Sequence, residues 1–104
     1  MPVTTIGATA VHVDAEGFLT DYDEWDDALA AQLAAQIGIE LTDAHLAAIR
    51  FLREDYLTEG ETATLRRVST LAGIPIKELF ALFPGKPAKK MAYIAGLPKP
   101  HGCV

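Results

Sequence analysis

Thr62-Ala-Thr-Leu-Arg-Arg-Val-Ser-Thr-Leu-Ala-Gly73-Ile-Pro75-Ile-Lys-Glu-Leu-Phe-Ala-Leu-Phe83 is the stretch that sets the architecture of this 104-residue chain. Glycine accepts the left-handed conformation that ends a helix, and proline suits a helix's first turn. Gly73 therefore stops one short helix, predicted over 63–72 after Thr62, and Pro75 opens another over 76–83. Two such helices joined through Ala-Gly-Ile-Pro make a helix-turn-helix corner.

Upstream, Thr42 reads as the cap of a helix in which Leu46, Ile49, Leu52 and Tyr56 share one core face, with Arg53 in the same run and Gly60 closing it. His45, in its first turn, reads as a surface residue and not a ligand. Earlier still, Asp23 is predicted to cap a helix carrying Trp25, Leu29, Leu33 and Ile37 at intervals of four, ended by Gly38. Glu24, Asp26 and Asp27 suit the positive end of its dipole. Residues 3–13 are β-branched and partly alternating, which predicts a hairpin with Gly7 at its turn; Asp14-Ala-Glu-Gly17 reads as the next turn. Downstream, Pro84-Gly-Lys-Pro87 interrupts the chain, 88–95 forms a last short helix and Gly96 ends it. The fold class is α+β, mainly α.

Length and composition suit one domain with its own core. No apolar run approaches the ~18 residues of a membrane span, so no membrane association is expected. No secretory leader is visible at Met1-Pro-Val-Thr-Thr. The net charge of −5 is unevenly spread. Residues 1–49 hold nine acids and no Lys or Arg; residues 50–104 hold all nine basic residues and five acids. From Leu79 onward there are four lysines (Lys86, Lys89, Lys90, Lys99) and no acid. These are either ordinary solvated faces or a positive field that steers anionic partners.

The one cysteine, Cys103, ends the run Ile94-Ala-Gly-Leu-Pro-Lys-Pro-His-Gly-Cys103-Val104. Two prolines and two glycines favour an extended, jointed arm. Residues 1–96 then form the folded body and 97–104 a flexible arm reaching roughly 20 Å at ~3.1 Å per residue. Chain ends are poorly ordered unless tied down, so the thiol is presented to other molecules and the arm is expected to be dispensable for folding. A lone exposed thiol suits a reducing compartment, which makes the cytoplasm the default. Lys99 and protonated His101 would favour the thiolate, and the Val104 carboxylate would oppose it. His12, His45, His101 and Cys103 lack metal-ligand spacing, no phosphate loop or serine nucleophile elbow occurs, and no metal or cofactor is expected.

These residues carry a resemblance. Lys86-Pro-Ala-Lys-Lys-Met-Ala-Tyr-Ile-Ala-Gly-Leu-Pro-Lys-Pro-His-Gly-Cys103-Val104 resembles the C-terminal arm of the DsrC/TusE family of sulfur-carrier proteins, also known as the gamma subunit of dissimilatory sulfite reductase. Tyr22-Asp-Glu-Trp-Asp-Asp27, Leu41-Thr-Asp-Ala-His45, Ile49-Arg-Phe-Leu-Arg53 and Phe18 after its turn look like the family's middle and hairpin. The resemblance implies a small hairpin, an orthogonal helical bundle with a helix-turn-helix, and an arm whose terminal cysteine, here Cys103, carries sulfur as a persulfide. Members that work with sulfite reductase have a second cysteine eleven residues earlier, where this chain has Ala92. The chain therefore falls with the single-cysteine group, similar to sulfur relays for tRNA 2-thiolation or carriers in cytoplasmic sulfur metabolism.

The function expected is a persulfide carrier rather than a stand-alone enzyme. Its partners would be an upstream sulfur donor and an acceptor enzyme, either a tRNA thiolase or a complex like sulfite reductase or heterodisulfide reductase. The alternatives are a sulfite-reductase gamma-type subunit and a helix-turn-helix regulator reading DNA with residues 76–83. In that helix Leu79, Phe80, Leu82 and Phe83 are apolar and Lys77 is the sole base. A reading helix needs side chains that reach base edges, so no specific DNA binding is expected.

Overall fold

The computed structural model describes residues 3–6 and 9–100, without the side chain of Thr9. Helix α2, Asp43–Glu59, is its longest element. Ala48, Ile49 and Leu52 recur at helical spacing and have no exposed surface, so one face of α2 is core throughout. Thr42 caps it as expected, and Gly60 ends it at φ +74°. Around it lie α1 (Asp27–Gln36), α3 (Leu65–Ala72), α4 (Ile76–Leu82) and α5 (Pro87–Ala95). Helix α5 packs against α1, α2 and α4, and α3 packs against α2 and α4. The main core joins Ile49, Leu52, Val68, Leu79, Phe83 and Ile94.

Strands β1 (Val3–Ile6) and β2 (Thr9–His12) pair antiparallel, from Val3 opposite His12 to Ile6 opposite Thr9. The expected turn at Gly7 lies outside the described residues. Val11 and Val13 are buried while His12 between them is exposed, the alternation of a half-buried strand. The next turn forms as expected. Asp14 Oδ1 accepts from the backbone of Glu16 and Phe18, and Gly17 sits at φ +89°. A second cluster under the hairpin joins Ile6, Val11, Val13, Leu19, Leu29 and Leu33; Trp25 and Tyr93 pack against both clusters. The mainly α architecture, the small hairpin and the helix-turn-helix all match the expectation.

Several local expectations are corrected. Asp23 caps nothing. Tyr22–Glu24 is a single 3₁₀ turn capped by Asp21, and α1 starts at Asp27 with Asp26 Oδ1 accepting from Leu29 N at 2.7 Å. Trp25 stands between the two in extended conformation, outside the helix. Four aspartates in 21–27 could each cap, and the tertiary contacts of Trp25 decide among them, as tertiary context routinely overrides local propensity. Ile37 is the C-cap of α1, so the helical stripe is Leu29 and Leu33. Helix α3 starts at Leu65 behind the Thr64 cap rather than at Ala63, and Pro75 is the N-cap of α4 with Phe83 just past its end.

His45 is buried, not a surface residue. Its Nδ1 takes part in a capping box, 3.1 Å from Thr42 N and 2.8 Å from Thr42 Oγ1. Its Nε2 lies 2.8 Å from the Leu82 carbonyl at the end of α4, and its ring meets Phe83 edge-on. The residue spans two helices in a way that spacing alone does not reveal. At the hairpin, both Glu24 carboxylate oxygens accept from His12, one from its backbone N–H and one from its ring. The backbone bond and then the side-chain bond hold the Glu24 carboxyl below its ordinary value. Any stability from this contact is present at neutral pH and lost as pH falls through that lowered value. His45→Ala removes the box and strands the Leu82 carbonyl, and should cost about 2–3 kcal/mol in urea unfolding.

Candidate functional site at the root of the C-terminal arm

Cys103, His101 and Gly102 lie outside the described residues. The structure does describe how the segment leading to them is fixed. Gly96 ends α5 at φ +70°. Its N–H reaches the Tyr93 carbonyl at 3.3 Å, and Leu97 N–H reaches the Ala92 carbonyl at 3.1 Å. This Schellman-type pair satisfies the helix's last carbonyls and turns the following side chain inward. Leu97 accordingly has no exposed surface and belongs to the main core.

Beyond it, the Pro98 carbonyl accepts from Thr62 Oγ1 at 2.7 Å, Lys99 Nζ lies 3.1 Å from Glu16 Oε1, and Pro100 is buried. The expectation that the arm is loose from residue 97 is therefore corrected for 97–100. Composition signals extended backbone but not what that backbone packs on. From Pro100 the three residues to Cys103 span at most about 11 Å, roughly half the reach expected from the last helix.

Arg53 holds the end of α5, a role not apparent from its place in the helical spacing. Its guanidinium donates to the Ala95 carbonyl at 2.8 Å and to the Tyr22 carbonyl at 2.9 Å. It also lies 3.8 Å from the Tyr22 ring centroid and 4.2 Å from that of Trp25. Among the described residues no carboxylate pairs with it; carbonyl oxygens and ring faces stabilise the cation instead. Burial draws its pKa below the ordinary value, while the nearby Tyr22 and Asp23 side chains oppose that. Trp25 completes the clamp by donating from Nε1 to the Ile94 carbonyl at 2.8 Å. Three carbonyls near the arm's root thus have named donors far upstream in sequence: Trp25 for Ile94, Arg53 for Ala95 and, beyond Leu97, Thr62 for Pro98. The signal that could have pointed to Arg53 is a charge on the core side of an otherwise apolar face.

Ala92, eleven residues before Cys103, is fully buried in α5. The two described histidines are separately engaged, His12 with Glu24 and His45 with Thr42 and Leu82. Among the described residues no cluster of His, Cys, Asp or Glu forms a metal-ligand group. No described helix is long and apolar enough to cross a membrane. In α4, Leu79 is buried and Phe83 behind it is in the core, so these residues serve packing.

Fold and arm together define a small, mainly α protein built to hold a C-terminal segment at a fixed point. Sequence comparison agrees with this class. Residues 5–104 match the family described as DsrC like protein, and the chain belongs to that family. The sulfurtransferase TusE of Sodalis glossinidius (strain morsitans) is 40% identical over 103 residues, 92% of this chain and 95% of its own length. The NMR structure of Allochromatium vinosum DsrC superposes with a TM-score of 0.83 at 35% identity, covering 98% of this chain and 97% of that one. The crystal structure of the oxidized gamma-subunit of the dissimilatory sulfite reductase (DsrC) from Archaeoglobus fulgidus gives 0.78 at 34% identity, covering 99% of this chain and 100% of that one.

An alanine at 96 would place its Cβ 2.6 Å from Trp25 Cδ1, whereas one at Gly73, with φ +72°, meets nothing within 4 Å. Both pay the left-handed backbone cost of about 1–2 kcal/mol, and Gly96→Ala adds overpacking of about 1–3 kcal/mol. Gly96→Ala should therefore be clearly the more destabilising in thermal unfolding; equal losses would mean the Trp25 contact is absent. Leu97→Ala should cost about 2–4 kcal/mol, which a merely dangling arm would not show.

Proposed function

We propose that the chain is a persulfide carrier working through Cys103. The carrying observation is a lone thiol three residues beyond Pro100, on a segment anchored by Leu97 in the core, by Thr62 on the Pro98 carbonyl and by Glu16 on Lys99. Such a design gives the sulfur a defined starting point and a short reach. Membership of a family whose relatives include proteins named sulfurtransferase supports a sulfur-handling role.

In the proposed step the Cys103 thiolate attacks the outer sulfur of a donor persulfide. The new S–S bond forms at Cys103, the donor's S–S bond breaks, and the donor leaves as a thiolate. No net oxidation is needed. In the second half the acceptor's nucleophile takes that outer sulfur and Cys103 leaves as thiolate. The partners are then an upstream donor and an acceptor enzyme, of tRNA-thiolation or sulfite-reductase type, in a reducing compartment such as the cytoplasm. Ala92 supplies no thiol, so this chain relays sulfur without closing an internal disulfide. The helix-turn-helix serves packing in this reading.

Intact-mass analysis after incubation with a persulfide donor should show one added sulfur, removed by reductant and absent in Cys103→Ser. An unmodified wild-type chain would sink the proposal. Mild oxidation should link two chains through Cys103 and yield no faster-migrating oxidised monomer on a non-reducing gel.

A further inference from the structure

A groove of about 530 Å³ opens beside the arm's root, lined by Glu16, Phe18, Ile37, Tyr93 and the segment Gly85–Lys90 through Gly85, Lys86, Lys89 and Lys90. Its floor is apolar. Phe18 is buried and meets the Tyr93 ring edge-on at 5.7 Å, while Ile37 and Tyr93 are half-buried. Its rim is positive. Among the described residues none of Lys86, Lys89 and Lys90 pairs with a carboxylate; Lys90 donates to the Pro84 carbonyl. The one acid in the lining, Glu16, is neutralised by Lys99. The three lysines from the acid-free last quarter of the chain thus converge on one concave, greasy surface that lacks their counter-charge.

We propose that this groove docks an acidic segment, carrying an apolar anchor residue, of the protein that exchanges sulfur with Cys103. The inference rests on the carrier reading. Charge complementarity calls for a negative occupant, and the floor calls for an aliphatic or aromatic side chain. A volume of this size takes one or two side chains, as ligand pockets do. A nucleic acid fits less well. Its phosphates have no use for the apolar floor. The location also fits. Lys99 holds the groove's edge through Glu16, and Cys103 is four residues further on, within at most about 14 Å. A partner seated in the groove would have its reactive sulfur within the arm's span.

The test is a ¹H–¹⁵N NMR titration of the full chain. The probe is a synthetic hexapeptide with a central leucine–phenylalanine pair flanked by aspartate and glutamate. The amides of Phe18, Ile37, Gly85, Lys86, Lys89 and Tyr93 should shift together. The Lys86→Gln/Lys89→Gln double variant should weaken binding about tenfold, as should replacing the peptide's acids by their amides. That variant should still gain one sulfur on Cys103 from a small-molecule persulfide, which separates failure of docking from failure of the carrier reading. Shifts absent or spread over the surface would overturn the proposal. So would tighter binding at the same groove by an RNA hairpin. Displacement of the His101 and Gly102 amides toward random-coil positions as the peptide enters would make this chain's own tail the resident, and would equally overturn it.

Discussion

Everything near the arm depends on one buried cation. Arg53 sits in the middle of α2 with no carboxylate partner among the described residues, over the Tyr22 and Trp25 rings and against two backbone carbonyls. A buried charge is costly unless every donor finds a strong acceptor. Here the acceptors are the carbonyls of Tyr22 and Ala95, one ahead of α1 and one at the end of α5. Satisfying a single guanidinium therefore fixes where three parts of the chain meet. Tyr22 returns the contact through its hydroxyl, which donates to the Arg53 carbonyl at 3.1 Å, and its ring stacks on Tyr56.

That constraint propagates to the arm. Trp25 must leave the helical register to cover Arg53 and reach the Ile94 carbonyl, which is why α1 begins after it. The indole then occupies the space where a side chain at position 96 would project. Glycine answers both the left-handed φ and that close approach, so the α5 terminus and Trp25 are mutually fitted. Leu97 follows into the core and Thr62 secures Pro98. The carrier proposed here is thus a rigid body continuous with the first part of its arm, leaving a short reach to Cys103 and a positive groove beside it.

The elements governed by local chemistry were legible in the sequence. Gly60, Gly73 and Gly96 end helices at positive φ, Thr42 caps α2, and Asp14 to Gly17 makes its turn. What was not legible depends on partners distant in sequence. Asp23 looks as good a cap as Asp26 until Trp25 is seen bonded 69 residues away. His45 looks like a surface residue until Leu82 is placed against it. Leu97 and Pro100, in a Pro/Gly-rich run, look like linker until the core closes over them. The thiol and its family resemblance were readable at once, whereas Arg53, the residue that holds the arm's root, left only the faint signal of a charge on an apolar face.

The account stands on the arm's root being part of the folded core, and the backbone amide of Leu97 reports on that directly. Bonded to the Ala92 carbonyl and carried by a side chain with no exposed surface, it should exchange with solvent deuterium only as slowly as the core amides of α2, through global unfolding. In Arg53→Met, which leaves the Ala95 carbonyl without its donor, that protection should fall toward local-opening rates while the middle of α2 stays the slowest-exchanging region. Exchange of the wild-type Leu97 amide at the rate of an open chain would show that the arm is free from the end of α5, and would contradict the account.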